Sequence, residues 1–195
     1  IMLKKIPNIL TIGRIIIVPF FVLAFYLPGF YGDLTACVLF VIASFTDFLD
    51  GMLARMMGEE SKLGELLDPI ADKIIVATAL ILLVMSGTIR HYEVIAAIII
   101  LTREILISGL REFLARGRIK LPVTNLAKLK TFLQMVAIAL LLTGETGNKI
   151  LNFQDYNAQT IGIILLWLSA FLTLYTGYEY LRKGIDHAMS EDNKK

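Results

Sequence analysis

Residues 34–72 read LTACVLFVIASFTDFLDGMLARMMGEESKLGELLDPIAD. The stretch opens as an apolar run, and the run then continues through Asp47 and Asp50; after a short polar link a second run opens on Asp68 and Asp72. Apolar runs of about 20 residues span about 30 Å as helix, the thickness of a bilayer's hydrocarbon core. A carboxylate near the centre of such a core costs about 2.5–3.5 kcal/mol on insertion scales and less toward the interface, so four of them demand a reason.

The rest of the chain repeats the apolar theme. Of 195 residues, 56% are apolar and 18% charged, against about 45–50% and about 25% in a soluble domain. The excess must face something other than water, which excludes a soluble catalytic domain. Six apolar runs are read at Ile9 to Leu27, Leu34 to Met57, Asp68 to Ser86, Tyr92 to Leu114, Thr124 to Thr143 and Ala158 to Leu181. Backbone groups in hydrocarbon must be satisfied within the segment, and the runs lack the alternation of a barrel strand. An all-α integral membrane protein with six transmembrane helices in one domain is therefore expected.

Lysine and arginine set the orientation. Lys4, Lys5, Arg55, Lys62, Arg116, Arg118, Lys120, Arg182, Lys183, Lys194 and Lys195 fall on one side, against Arg90 and Lys149 on the other. The positive-inside rule puts both termini in the cytoplasm, and the inner (cytoplasmic) membrane is the expected location. Met2 to Ile6 reads either as a short interfacial helix or as an ordinary basic flank. No cleaved leader is expected, because the first run continues without a small-residue cleavage site. A net charge of +2 gives no case for nucleic acid, and the single Cys37 cannot close an internal disulfide.

Spacing sharpens the acids into a candidate site. Asp47, Asp50, Gly51 and Ala54 follow i, i+3, i+4, i+7, one stripe of a helix, and Gly64, Asp68 and Asp72 follow i+4 steps. Four converging carboxylates repel unless a cation lies between them, and oxygen ligands without cysteine or histidine favour Mg²⁺ or Mn²⁺. Gly51 and Ala54 remove bulk from the stripe, and Arg55 offers a planar fork suited to phosphate. Taken singly, Asp68 before Pro69 reads as an N-cap, Gly51 and Ala54 as helix-packing residues, and Arg55 as an inside anchor. None of these explains Asp47 with Asp50.

The pattern of Asp47, Asp50-Gly51, Ala54-Arg55, Gly64, Asp68 and Asp72 resembles the signature of the CDP-alcohol phosphotransferase family at every named position. The resemblance implies a cytoplasm-facing polar cavity, a homodimer among membrane lipids, and transfer of a phosphatidyl group from a CDP-linked lipid to an alcohol with release of CMP. It implies two divalent ions held by Asp47, Asp50, Asp68 and Asp72, with Asp72 also the base for the attacking hydroxyl. Asn8, Arg14, Gly51, Ala54, Arg55 and Gly64 are expected around the CDP-diacylglycerol nucleotide and diphosphate.

A second group of charges bears on the acceptor. Arg103, Glu104, Arg111 and Glu112 lie in LTREILISGLRE, and Lys128 and Lys130 in LAKLKTFLQ. Arg103 and Arg111 are about 12 Å apart along a helix and about 80° around it, close enough to border one cavity. These cations suit a phosphorylated polyol better than a neutral alcohol, and with IPNILT, Arg14 and KLKT they resemble the branch of the family that uses sn-glycerol 3-phosphate. Arg103, Arg111, Lys128 and Lys130 are then expected to hold the acceptor phosphate, although Lys128 and Lys130 at i, i+2 point to different sides of a regular helix. In the alternative, each arginine pairs with a glutamate and the lysines snorkel to the surface. Inositol phosphate is the nearest other acceptor. A divalent-cation transporter is the rival from another class, since buried acids also mark ion pathways. The sixth run and tail add no site residue, Trp167, Tyr156, Tyr175, Tyr178 and Tyr180 read as packing or interfacial aromatics, and His91 and His187 as surface residues.

Overall fold

A computed structural model describes residues 6–57, 62–116, 125–151 and 157–192. Among the described residues the chain is helical and contains no strand. In order, the helices are α1 (Ile6–Phe25), α2 (Phe30–Met57), α3 (Lys62–Met85), α4 (Glu93–Arg116), α5 (Asn125–Leu151) and α6 (Ala158–Asp192).

Two of them contain a segment long and apolar enough to cross a membrane, Asn125–Gly144 in α5 and Ala158–Arg182 in α6; α1 and α2 supply shorter apolar stretches at Thr11–Phe25 and Phe30–Thr46. Charges explain why α3 and α4 contribute none: Asp68, Asp72 and Lys73 interrupt the first, and Arg103, Glu104, Arg111 and Glu112 the second. The helix bounds also depart from the apolar runs. Helix α3 begins at Lys62 rather than Asp68, and α6 continues to Asp192 rather than stopping near Leu181, because the end of an apolar run does not by itself end a helix.

Helix α6 packs most extensively on α5 and then on α4, while α1 packs on α2 and α3, and α2 also meets α5. A methyl group at Gly162 would lie 2.8 Å from Leu141 Cγ, so a small residue is what lets α6 approach α5 this closely. The core is built from Phe21, Phe40, Leu80, Leu83, Ile138 and Leu166, all buried. Phe21 and Phe40 join α1 to α2 with ring centroids 6.3 Å apart.

One end of the bundle is closed by hydrogen bonds of short polar side chains. Gly144 takes φ +52, a left-handed conformation that breaks α5 before the helix resumes. Thr146 Oγ1 then donates to Asp33 Oδ2 at 2.9 Å, and Asn148 Oδ1 accepts the backbone N–H of Ala158 at the start of α6. Gln159 Nε2 donates to the Thr88 carbonyl between α3 and α4. A cavity of about 190 Å³ lies at this end, lined by Asp33, Ser86, Thr88 and Gly144 among others.

Candidate active site

The charges singled out by the sequence fall toward the opposite end. Asp47, Asp50, Gly51, Ala54 and Arg55 fall in the closing turns of α2, and Gly64, Asp68 and Asp72 in the opening turns of α3, a helix that touches α2. Beyond the course of the helix backbone, Asn8, Asp47, Asp50, Gly51, Ala54, Arg55, Gly64 and Asp68 lie outside the described residues. The backbone alone settles one question. Asp68 stands well inside α3, so the N-cap reading of Asp68-Pro69 does not hold. Pro69 lacks an N–H and removes one helical hydrogen bond there, an omission helices tolerate when neighbouring groups re-satisfy the carbonyl.

Asp72 is half-buried, and its carboxylate acts electrostatically on Lys130 of α5. This links the acid motif to the cations. Lys130 is 3% exposed, and its ammonium pairs with Glu104 Oε1 of α4. Arg103 Nη1 reaches the same oxygen at 3.4 Å. Lys73, beside Asp72, also acts on Glu104. Two cations from two helices thus converge on one carboxylate oxygen. Lys128 is exposed and stands apart from this group, as the i, i+2 spacing predicts for a regular helix.

Helix α6 completes the arrangement. Arg103 Nη2 donates to Thr176 Oγ1 at 3.3 Å. The Arg103 guanidinium lies 5.9 Å from the centre of the Tyr180 ring, and that of Arg111 4.6 Å from it, so one aromatic face receives both arginines. Gly177 lies between Thr176 and Tyr180 in the approach to Arg103: a methyl there would be 3.2 Å from Arg103 Cγ. Tyr180 is 3% exposed, unlike the exposed Tyr175 and Tyr178, so α6 adds a buried ring beside the two arginines. The signal lay in Thr173, Thr176, Gly177 and Tyr180, a polar and small-residue stripe at i, i+3, i+4, i+7 on an otherwise apolar helix.

The alternative of simple ion pairing is met in part. Arg103 does pair with a glutamate, but Lys130 is buried rather than snorkelling. Arg103 also keeps a donor in reserve, since its buried Nε has no hydrogen-bond partner among the described residues. On α1, Arg14 is 1% exposed and shares the inward stripe with Thr11, Phe21 and Ala24. An arginine so placed in an apolar helix needs an anionic neighbourhood, and α1 packs on the two helices that carry the acids.

The donor set fits a hard divalent cation: all-oxygen ligands on two touching helices, with the half-buried Asp72 among them. Among the described residues no group of three or more histidine, cysteine, aspartate or glutamate side chains gathers, and three of the four carboxylates lie outside those residues.

The chain matches known proteins along nearly its whole length. Curated relatives named CDP-diacylglycerol–glycerol-3-phosphate 3-phosphatidyltransferase include one from Rickettsia felis, 42% identical over 92% of this chain and 94% of the relative. Another from Rickettsia typhi is 43% identical over 92% and 97%, and one from Cereibacter sphaeroides 37% identical over 96% and 98%. The family description CDP-alcohol phosphatidyltransferase matches residues 4–175, and with the acid motif, the cation cluster and these relatives it establishes that the chain belongs to the CDP-alcohol phosphatidyltransferase family.

Proposed function

We propose that the protein transfers the phosphatidyl group of CDP-diacylglycerol to sn-glycerol 3-phosphate, giving phosphatidylglycerol phosphate and CMP. The observation that carries the reading is the partly buried Lys130–Glu104–Arg103 group on helices that pack against α3, the helix of Asp72: cations suited to an acceptor phosphate adjoin the helix that carries part of the acid motif. The names of the relatives support the same pair of substrates.

Asp47, Asp50, Asp68 and Asp72 are the residues to hold up to two Mg²⁺ or Mn²⁺ ions, which when bound neutralise charge on the diphosphate and on departing CMP. Arg14 and Arg55 face the same diphosphate, with Asn8, Gly51, Ala54 and Gly64 leaving room for the nucleotide. Arg103, Arg111 and Lys130 draw in the acceptor phosphate, and Lys128 at the rim adds attraction. The primary hydroxyl of the acceptor attacks the phosphorus that bears diacylglycerol, the bond to the CMP oxygen breaks, and the hydroxyl proton passes to the Asp72 carboxylate. Holding both substrates in line supplies much of the acceleration, since positioning converts a bimolecular encounter into an intramolecular one.

The reaction belongs at a membrane surface. Phe20, Leu23, Ile81, Ile105, Phe132 and Phe171 are exposed, an apolar exterior much larger than a soluble monomer tolerates. This supports six membrane-embedded helices with the charged end and both termini at the cytoplasmic side; lipid covers this exterior, apart from the face that a second copy takes in the expected homodimer. Incubating the purified protein with CDP-diacylglycerol, Mg²⁺ and a panel of glycerol 3-phosphate, inositol phosphate, serine and inositol tests the proposal. Phosphatidylglycerol phosphate and CMP are the expected products; a lipid formed only with another alcohol overturns the acceptor, and no CMP release overturns the reaction.

A further inference from the structure

Lys130 and Arg103 hold an anion that belongs to the chain itself. The Glu104 side chain is 21% exposed, against 12% for Arg103 and 4% for Lys130, so the anion is open to exchange while Lys130 is closed off from solvent. Arg103 is held independently of Glu104, by Thr176 Oγ1 and the Tyr180 face, with Gly177 admitting its stem. Lys130 stands on the buried stripe of α5 with Ala127, Gln134 and Ala137. Resting on the acceptor reading above, we propose that Glu104 is a resident counter-anion: it fills the acceptor-phosphate position between Lys130 and Arg103, and the acceptor binds by exchanging with it.

Physical chemistry favours an occupied site at every stage. Two cations this deep without an anion would be expensive to keep charged, and the carboxylate meets that need when no acceptor is present. A phosphate oxygen offers the same bridging geometry with more charge and further oxygens, and the unpartnered Arg103 Nε is a donor that Glu104 leaves unused. The displaced carboxylate remains in cationic company, since Lys73 already acts on it. A neutral alcohol has no anion to exchange and cannot take Lys130 from Glu104. Selection for a phosphorylated acceptor thus arises from competition as well as attraction.

The exchange is testable through binding, separately from turnover. Titration of sn-glycerol 3-phosphate into the purified full chain by calorimetry should give at least threefold tighter binding in Glu104→Gln than in the wild type. Inorganic phosphate should raise the melting temperature of the variant more than that of the wild type, and glycerol should move neither. Unchanged or weaker binding of glycerol 3-phosphate by the variant overturns the exchange and makes Glu104 a strut that positions Lys130. If Glu104→Gln does not fold, Glu104→Asp, which keeps the charge on a shorter reach, should still bind more tightly than the wild type. Failure of both variants to fold likewise makes Glu104 a strut. Binding to neither wild type nor variant overturns the acceptor reading itself, whereas binding to the wild type without a gain in the variant overturns only the exchange.

Discussion

The two ends of the bundle satisfy their polar groups in opposite ways. At one end Asp33 accepts from Thr146, and Asn148 caps the start of α6: short polar side chains close the turns by single hydrogen bonds, with no pairing of opposite charges. At the other, Lys130, Glu104 and Arg103 satisfy one another across helices, and Arg103 Nε stays without a partner. The first pattern is what a membrane fold needs to end its helices. The second exceeds structural need, because charges in hydrocarbon are costly and an apolar repacking would serve stability better. The difference teaches where to look for function: at the end whose polar groups are matched by charge and retain capacity.

Substitutions can break this contrast, beginning with the acids. Asp50→Ala or Asp68→Ala should lower CMP release by roughly a hundredfold or more, the scale seen when a key electrostatic group is removed, while detergent-solubilised protein remains monodisperse. Chelation should do the same to the wild type, and added Mg²⁺ should restore it. Full activity in either variant removes the metal scheme. Next, Lys130→Met should raise the apparent requirement for glycerol 3-phosphate about 10- to 100-fold, a charge-assisted contact being worth about 1.5–3 kcal/mol. Lys128→Met should shift it less, and equal effects would mean that burial does not distinguish the two lysines.

Smaller effects sharpen the comparison. Tyr180→Leu removes the ring shared by Arg103 and Arg111 and should raise the acceptor requirement roughly 3- to 30-fold, in line with cation–π energies of about 0.5–2 kcal/mol. Tyr180→Phe keeps the ring and should recover most of that. At the end closed by Asp33, Thr146→Val leaves that carboxylate without its hydroxyl donor and should lower stability by about 1 kcal/mol, read as a lower melting temperature with turnover intact. Loss of turnover in that variant would show that the two ends are coupled.

Much of the architecture was legible because a long apolar run satisfies its backbone most simply as a helix: among the described residues each of the six runs overlaps a helix. Their limits were less legible. Lys62 to Leu67 and Arg182 to Asp192 mix polar, apolar and glycine residues, and a hydrophobic pattern loses its signal there although the helix continues. The acid motif was read directly from its spacing, since fixed intervals on one stripe survive any docking of the helices. What spacing within a single run could not reveal was the partnership between runs. Glu104 was visible as a charge, but its place between Lys130 and Arg103 depends on how α4 meets α5. Tyr180 was hidden among Tyr175 and Tyr178, and only the packing of α6 on α4 separates the buried ring from the exposed ones.

Helix α6 runs unbroken for 35 residues, roughly 50 Å at the helical rise, and passes Tyr180 on its way to Asp192. A continuous rod transmits torque. Thr176, Gly177 and Tyr180 sit on one rigid segment beneath the arginines, so a label fixed rigidly near Asp192 is predicted to change the apparent requirement for glycerol 3-phosphate.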